Sequence, residues 1–305
     1  MTAPDGHQVR IRVPATSANL GPAFDCAGLA LTRHDVVEFT VAADGLEVAM
    51  SGEGAHSLPT GEDHLVVRSF RAACDELGWT TPGLRMAAQN RIPQGRGMGS
   101  SAAAVVAGVV GAWALARGAD GIDTDAVLRL ATAIEGHPDN VAACLLGGAV
   151  LSWMDDGGAR AHRLDVDARI APVLLVPAGT LSTHVARGLL PDLVPHADAA
   201  RNAGRAALLT AALTRAPELL LAATDDRLHQ RQRGDAMPES IDLVDRLRDQ
   251  GLAAVVSGAG PSVLVLADRS AGDPLATIGE LTRTGWDVIP LQVDTAGAAV
   301  VPAAP

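Results

Sequence analysis

Four stretches of the chain combine residue types that do chemistry. The densest, 93–103, runs Pro93, Gln94, Gly95, Arg96, Gly97, Met98, Gly99, Ser100, Ser101, Ala102 and Ala103. Glycine at every second position lets the backbone turn tightly and come close to a ligand. Ser100 and Ser101 are N-cap types at the head of an Ala-rich apolar run that continues to residue 116. The free N–H groups and positive dipole end of such a helix hold an anion. The segment therefore reads as a phosphate cradle built without lysine, against the plainer reading of a serine-capped turn. The second stretch, 14–28, places Asn19 and Asp25 in a loop of small and apolar residues, where either could also make an Asx turn. The third contains Glu135, His137, Asp139 and Asn140. Glu135 suits a Mg²⁺ ion, which uses one or two carboxylates and completes its shell with phosphate and water. Asp139 or Asn140 could instead be an N-cap. The fourth, 257–262, is a glycine-rich turn containing Gly260. Arg187 and Arg233 have the fork that grips a carboxylate, although either alone could be a solvated surface residue.

Composition excludes several alternatives. All 24 basic residues of the 305 are arginine, and tyrosine is absent. Without lysine there is no Walker A loop and no protein-kinase strand lysine. A Schiff-base or pyridoxal mechanism is excluded for the same reason. The net charge of −11 and the lack of a basic run disfavour a nucleic-acid partner. A dinucleotide fold needs G-x-G-x-x-G in the first β-α-β unit with an acid about 20 residues later. Here the spacing is G-x-G-x-G near residue 95, and no strand precedes Asp120. Cys26, Cys74 and Cys144 are odd in number and form no C-x-x-C pair, so small buried hydrophobes are expected. No uninterrupted apolar run reaches the ~18 residues of a membrane span. The opening 1–14 lacks the apolar core of a signal peptide, so a cytoplasmic protein is expected, with no membrane partner.

The elements that must position these residues follow from periodicity. Alternation predicts strands over 9–13, ended by Pro14, and over 35–41, 46–50 and 84–88. Helical spacing predicts 64–77, stopped by Gly78, then the apolar helix after the glycine loop, 123–134 and a short 140–145. A hairpin is expected from 149–153 and 161–166. The second half predicts a strand at 172–176 and helices at 183–190, 198–213, 218–223 and 241–250. Strands at 253–256 and 263–266, a helix at 275–284 and a strand at 287–291 complete it. That order is a split β-α-β sandwich. The tail 295–305, rich in small residues and proline, is expected to fray.

Taken together, these motifs resemble the GHMP small-molecule kinase superfamily and, within it, the homoserine kinase family, over 9–293. The superfamily signal is 93–103 with 257–262. The narrower signal is 16–21 with Phe24 and Asp25, then 135–141. Ser182, Thr183, Ala186, Arg187, Leu190 and Pro191 fit the same family, as do 226–230, Arg233, Met237 and Pro238. The resemblance implies an α+β GHMP kinase fold, with an N-terminal mixed β-α domain (1–168) and a C-terminal ferredoxin-like α/β sandwich (169–305). It implies ATP-dependent phosphorylation of the L-homoserine hydroxyl to O-phospho-L-homoserine, a threonine precursor, with Mg²⁺, in a homodimer. Carried over residue by residue, 93–103 would wrap ATP with His64 near the adenine, and Ser100 and Glu135 would hold Mg²⁺. Asn19 would meet the substrate hydroxyl and Asp25 the ammonium. Arg187 and Arg233 would hold the carboxylate, Arg231 being the alternative to Arg233. His137, Asn140 and Gly260 would line the pocket. No dedicated base is expected, and Asp139 is the candidate for one. A different alcohol acceptor within the superfamily, or a catalytically silent nucleotide binder, are the competing readings.

Overall fold

The computed structural model describes residues 6–302. The expectations about residues 1–5 and the last three of the tail lie outside the described residues. β1 (Gln8–Ala18) and β2 (Ala27–Ala42) form a long antiparallel pair, from Gln8 opposite Thr40 to Ala18 opposite Gly28. Pro14 does not end β1 as expected. The register shifts between Pro14 and Ala15, a bulge that accommodates the missing N–H. The small residues beyond it continue the strand, buried, as far as Ala18. This extension carries Asn19 into the middle of the molecule.

β3 (Gly45–Gly52), α1 (Leu65–Leu77) and β4 (Gly83–Asn90) make a β-α-β unit, with β3 parallel to β4 and β4 antiparallel to β2. Gly78 closes α1 in the left-handed conformation. The hairpin β5 (Ala149–Asp155) and β6 (Gly158–Leu164) joins the other end of β2. Behind this sheet lie α2 (Ser100–Arg117), α3 (Thr124–Glu135) and α4 (Pro138–Leu146). α2 is apolar all round because it is surrounded: sheet on one side, helices on the others. Among the described residues it is the one helix long and apolar enough to cross a membrane, and most of it is packed inside the protein.

The second half builds a four-stranded antiparallel sheet from β7 (Ile170–Pro177), β8 (Ala253–Val256), β9 (Val263–Asp268) and β10 (Trp286–Pro290), ordered β10-β7-β9-β8. Between β7 and β8 run α5 (Thr183–Gly188), α6 (His196–Thr214), α7 (Leu220–Ala223) and α8 (Pro238–Asp249); α9 (Leu275–Leu281) links β9 to β10. This is the expected split β-α-β order. One face of the sheet packs Val173, Leu175, Val263 and Val265 against Leu243, Leu247 and Ile278. The opposite face, with Leu174, Val176, Val255 and Leu264, merges into the core of the first half. The tail is not frayed where it is described. β11 (Ala299–Val301) pairs with β1, and Asp294 anchors the approach by accepting N–H bonds from Ala296 and Gly297. The division at 168/169 assigns these residues to the second unit, whereas their pairing is with the first sheet.

Candidate active site

The glycine loop lies between the two halves. Gly95, Gly97 and Gly99 all have φ between 63° and 69°, so left-handed glycines alternate with ordinary residues and successive N–H groups form a concave nest. Two of them are enforced by contact as well. A Cβ on Gly97 would stand 2.1 Å from the Ser257 carbonyl, and one on Gly99 would stand 1.9 Å from Thr16 Oγ1. Gly99 is also the N-cap of α2, and no side chain caps that end. The first-turn N–H groups, from Ser100 onward, therefore have no helical acceptor and face a cavity of about 400 Å³.

Hydrogen bonds to its carbonyls from three directions fix the loop. Thr16 N–H donates to Met98 O, Leu181 N–H to Gly95 O, and Ser257 Oγ to Gly97 O. Arg96 turns away from the cavity and donates to the carbonyls of Pro177 and Ala178. Its guanidinium therefore braces the loop against β7, and its place in the ATP set is that of a backbone residue only. Ala102 and Ala103 are wholly buried and do not line the cavity; the Ala103 N–H is bonded to Gly99 O, which leaves only the Ala102 N–H without a helical acceptor. At the start of the loop, Asp35 accepts the N–H groups of Arg91 and Ile92, and burial pushes its carboxyl up to about 6.

Glu135 closes α3 beside the loop. Its Oε1 accepts the hydroxyl of Ser101 at 2.5 Å, so the serine it touches is Ser101 and not Ser100. Both serines and Glu135 line the cavity. Burial raises the Glu135 pKa, the expected state of a carboxylate in want of a cation. Among the described residues no cluster of three His, Cys, Asp or Glu side chains stands ready for a metal. The set is instead a carboxylate and two hydroxyls beside a phosphate nest. That hard-oxygen environment fits Mg²⁺ shared with phosphate and water.

The other end of the cavity is made of side chains. Asn19 is held at φ 70° and Asp25 at φ 56°, conformations that non-glycine residues rarely adopt. Asn19 Nδ2 donates to Gly258 O, and its Oδ1 accepts the Asp25 N–H. Arg187, on α5, makes a two-pronged pair with Asp25 at 2.6 and 2.9 Å. The bond to Asp25 raises the Arg187 pKa. Arg233 is 1% exposed, yet no carboxylate among the described residues forms an ion pair with it, and its Nε has no partner. Its Nη1 makes only long contacts, 3.4 Å each, to Gly258 O and to Nδ1 of His229. Burial lowers its pKa, and the charge of Arg187 adds to that. Arg231, the alternative, lies on the surface and is paired with Asp245. Of the two, Arg233 lines the cavity.

His137 and Asp139 form a pair at 2.8 Å, and Asp139 Oδ1 also accepts the Asn140 N–H. The bond to Asp139 raises the His137 pKa. Asn140 Oδ1 accepts from Thr16, which ties this turn to the glycine loop. His64 is at the opposite end of the cavity as the N-cap of α1. Its Nδ1 accepts from Val66 N–H and its Nε2 faces Met50 Sδ, so both nitrogens are engaged and a ring face is what it can offer a base. Pro93 and Gly260 are not brought to the cavity wall. A Cβ on Gly260 would meet Met237 Sδ at 2.5 Å, so this glycine shapes the turn from behind, while Gly258 and Ala259 face the cavity. Cys74 and Cys144 are buried as expected, but Cys26 is half-exposed near Asp25 and Asp139. Leu58, Pro59, Asp63 and Thr183 also line the cavity, none of them assigned a role from sequence. Ser182 and Thr183 stood in a matching motif, which was their only signal.

An anion nest and a charged pocket sharing one cavity, between a mixed sheet and a split β-α-β sandwich, define a GHMP-type small-molecule kinase. Profiles of the GHMP kinases N terminal domain and the GHMP kinases C terminal family match residues 64–148 and 198–277. Homoserine kinase of Streptomyces avermitilis is 57% identical over 97% of this chain and 96% of its own. That of Clavibacter michiganensis is 50% identical over 97% and 94%. The crystal structure of homoserine kinase from Cytophaga hutchinsonii superposes with a TM-score of 0.84 at 26% identity, covering 96% of this chain and 97% of that one. A Leishmania major mevalonate kinase, at 16% identity and a TM-score of 0.65 (93% of this chain, 96% of that one), shares the fold. The chain belongs to the homoserine kinase family.

Proposed function

We propose that this protein transfers the γ-phosphoryl group of ATP to the side-chain hydroxyl of L-homoserine, giving O-phospho-L-homoserine for threonine biosynthesis. The observation that carries the substrate is Arg233. A buried guanidinium without an ion-pair partner is costly unless a ligand supplies the anion. With Arg187 and Asp25 beside it, the pocket offers cations for a carboxylate and an anion for an ammonium, the two charges of an amino acid. The carboxylate of such a ligand displaces Asp25 from Arg187, and its ammonium takes Asp25 in exchange. An uncharged sugar or isoprenoid alcohol has nothing to offer these three residues.

At the other end, backbone N–H groups from Gly95 to Ala102 hold the triphosphate and neutralise charge as it moves to the leaving oxygen. Ser100, Ser101 and Glu135 are the residues that would hold Mg²⁺, which supplies further charge neutralisation when bound. Asn19 has one N–H left after its bond to Gly258, and that hydrogen is available to orient the acceptor hydroxyl. Positioning of this kind carries much of the rate of an in-line displacement. Asp139 lines the cavity, but its Oδ1 already accepts from His137 and Asn140. Its Oδ2 keeps it the candidate base, with a contribution expected to be small beside positioning and charge neutralisation. In keeping with the family resemblance, we place the enzyme in the cytoplasm as a homodimer, dividing near 168/169, with no nucleic-acid or membrane partner.

The test is an ADP-release assay with Mg-ATP, offering L-homoserine, L-serine, mevalonate and galactose separately. Turnover with homoserine alone is the expected result. Preference for an alcohol without carboxylate and ammonium would overturn the substrate while leaving the phosphate nest in place.

A further inference from the structure

Arg187 and Arg233 carry like charges and are brought into one small pocket. Among the described residues only the first has a carboxylate partner. Both stand against the ring of Phe24. The guanidinium carbon of Arg187 is 5.5 Å from the centre of its ring, and that of Arg233 is 5.2 Å away. Both are within the range at which a cation is attracted to an aromatic face. The ring is itself backed by His229, at 5.0 Å between centroids. His229 is wholly buried, its Nε2 hydrogen is committed to Gly21 O, and burial lowers its pKa, so it is a neutral support. Phe24 is half-buried and does not line the cavity, whereas the two arginines do.

A carboxylate in this place would hold the arginines just as well, but it would occupy the N–H donors that a ligand needs. An aromatic face stabilises a guanidinium without accepting its in-plane hydrogen bonds. We propose that Phe24 is a positioning residue for substrate recognition. Its ring holds Arg187 and Arg233 side by side without taking any of their N–H donors itself, and thereby sets the affinity for the substrate's carboxylate. The inference rests on the carboxylate-bearing substrate proposed above.

The experiment compares the full-length enzyme with its Phe24→Leu and Phe24→Tyr variants. The substrates are L-homoserine and 3-aminopropan-1-ol, which is homoserine without its carboxylate. For Phe24→Leu the homoserine KM should rise about tenfold or more, since two cation–π contacts are lost. Its kcat and its KM for ATP should stay within about threefold. Phe24→Tyr, which keeps the ring, should restore most of the loss. With 3-aminopropan-1-ol, kcat/KM should be nearly the same for Phe24→Leu and the parent. The ratio of the two substrates within one variant is insensitive to how much of the protein is folded, so a loosened core cannot imitate the result. Equal losses on both substrates, or an unchanged homoserine KM, would overturn the role of Phe24. A parent enzyme that does not turn over homoserine would instead overturn the substrate reading, and the role of Phe24 with it.

Discussion

The two ends of the cavity are built from different materials. The end assigned above to phosphate is mostly main chain: three left-handed glycines, an uncapped helix start, and loop carbonyls held by the N–H groups of Thr16 and Leu181 and by the Ser257 hydroxyl. The substrate end is side chains: Asp25, Arg187 and Arg233, propped on Phe24 and His229. A main-chain site tolerates little change of shape: a Cβ on Gly97 meets the Ser257 carbonyl, and one on Gly99 meets the Thr16 hydroxyl that is bonded to Asn140. A side-chain site keeps its fold when altered and loses its selectivity instead. This contrast orders the consequences of mutation.

The largest effect is expected at Gly97. An added Cβ meets the Ser257 carbonyl at 2.1 Å in a left-handed conformation, so both contact and φ oppose it. Gly97→Ala should lower kcat/KM for ATP by about 10³-fold, the scale seen when oriented backbone donors are lost. A variant retaining more than a tenth of the parent value would break the reading of the nest as backbone-made.

Arg233→Met comes next, and it separates binding from stability. The homoserine KM should rise about 100-fold, in the range for removing a buried charged hydrogen-bonding group. ATP affinity should change by less than about twofold. The melting temperature should hold or rise, because an apolar chain of similar length removes a buried charge that has no ion pair among the described residues. A marked fall in melting temperature would mean that the arginine serves the fold. For Asp25→Asn a homoserine KM about tenfold higher is expected, with a melting temperature within about 2 °C of the parent. The Asp25–Arg187 pair is about one third exposed, and such pairs contribute little to folding. Asp139→Asn should cost less than about tenfold in kcat. A loss well beyond that would restore Asp139 as a base.

The same contrast explains what could be read from the chain itself. The nest was legible because its parts are consecutive: alternating glycines, two serines and the helix they open are one word in the sequence. The second sheet was legible because its order of elements is distinctive. The pocket was not legible from local pattern, since Asp25 and Arg187 are 162 residues apart and nothing near either names the other. Their place in one pocket came from the family resemblance, their pairing with each other only from the structure, and Arg231 and Arg233 stayed alternatives until burial and the cavity wall distinguished them. Phe24 and His229 stood inside recognised motifs without a role, because an aromatic residue near a charge looks like any core residue. Pro14 misled as a weak strand former held in β1 by its pairing with β2, and the tail misled because its alanines and prolines surround a three-residue strand, Ala299–Val301, too short to show a period.

Asp35 tests how far the rigidity of the phosphate end extends behind it. Its carboxyl accepts the N–H groups of Arg91 and Ile92, immediately before the glycine loop, and titrates at about 6 when folded against 3.8 ordinarily. A raised carboxyl pKa means the folded protein keeps a proton that the unfolded chain releases. The stabilisation is therefore complete below about pH 4 and is lost as pH climbs through about 6. At roughly 1.4 kcal/mol per pH unit, the ceiling is about 3 kcal/mol. Asparagine keeps an acceptor for both N–H groups and has no proton to lose. The melting temperature of Asp35→Asn relative to the parent should therefore improve between pH 4 and pH 7 and level off above that. Turnover at pH 7.5 should stay within about twofold, the smallest effect in the series, because the variant preserves the bonds that seat the loop. A melting difference that does not vary with pH would mean that Asp35 is ionised throughout. Its two N–H bonds would then outweigh its burial, and the start of the loop would be held by a charge.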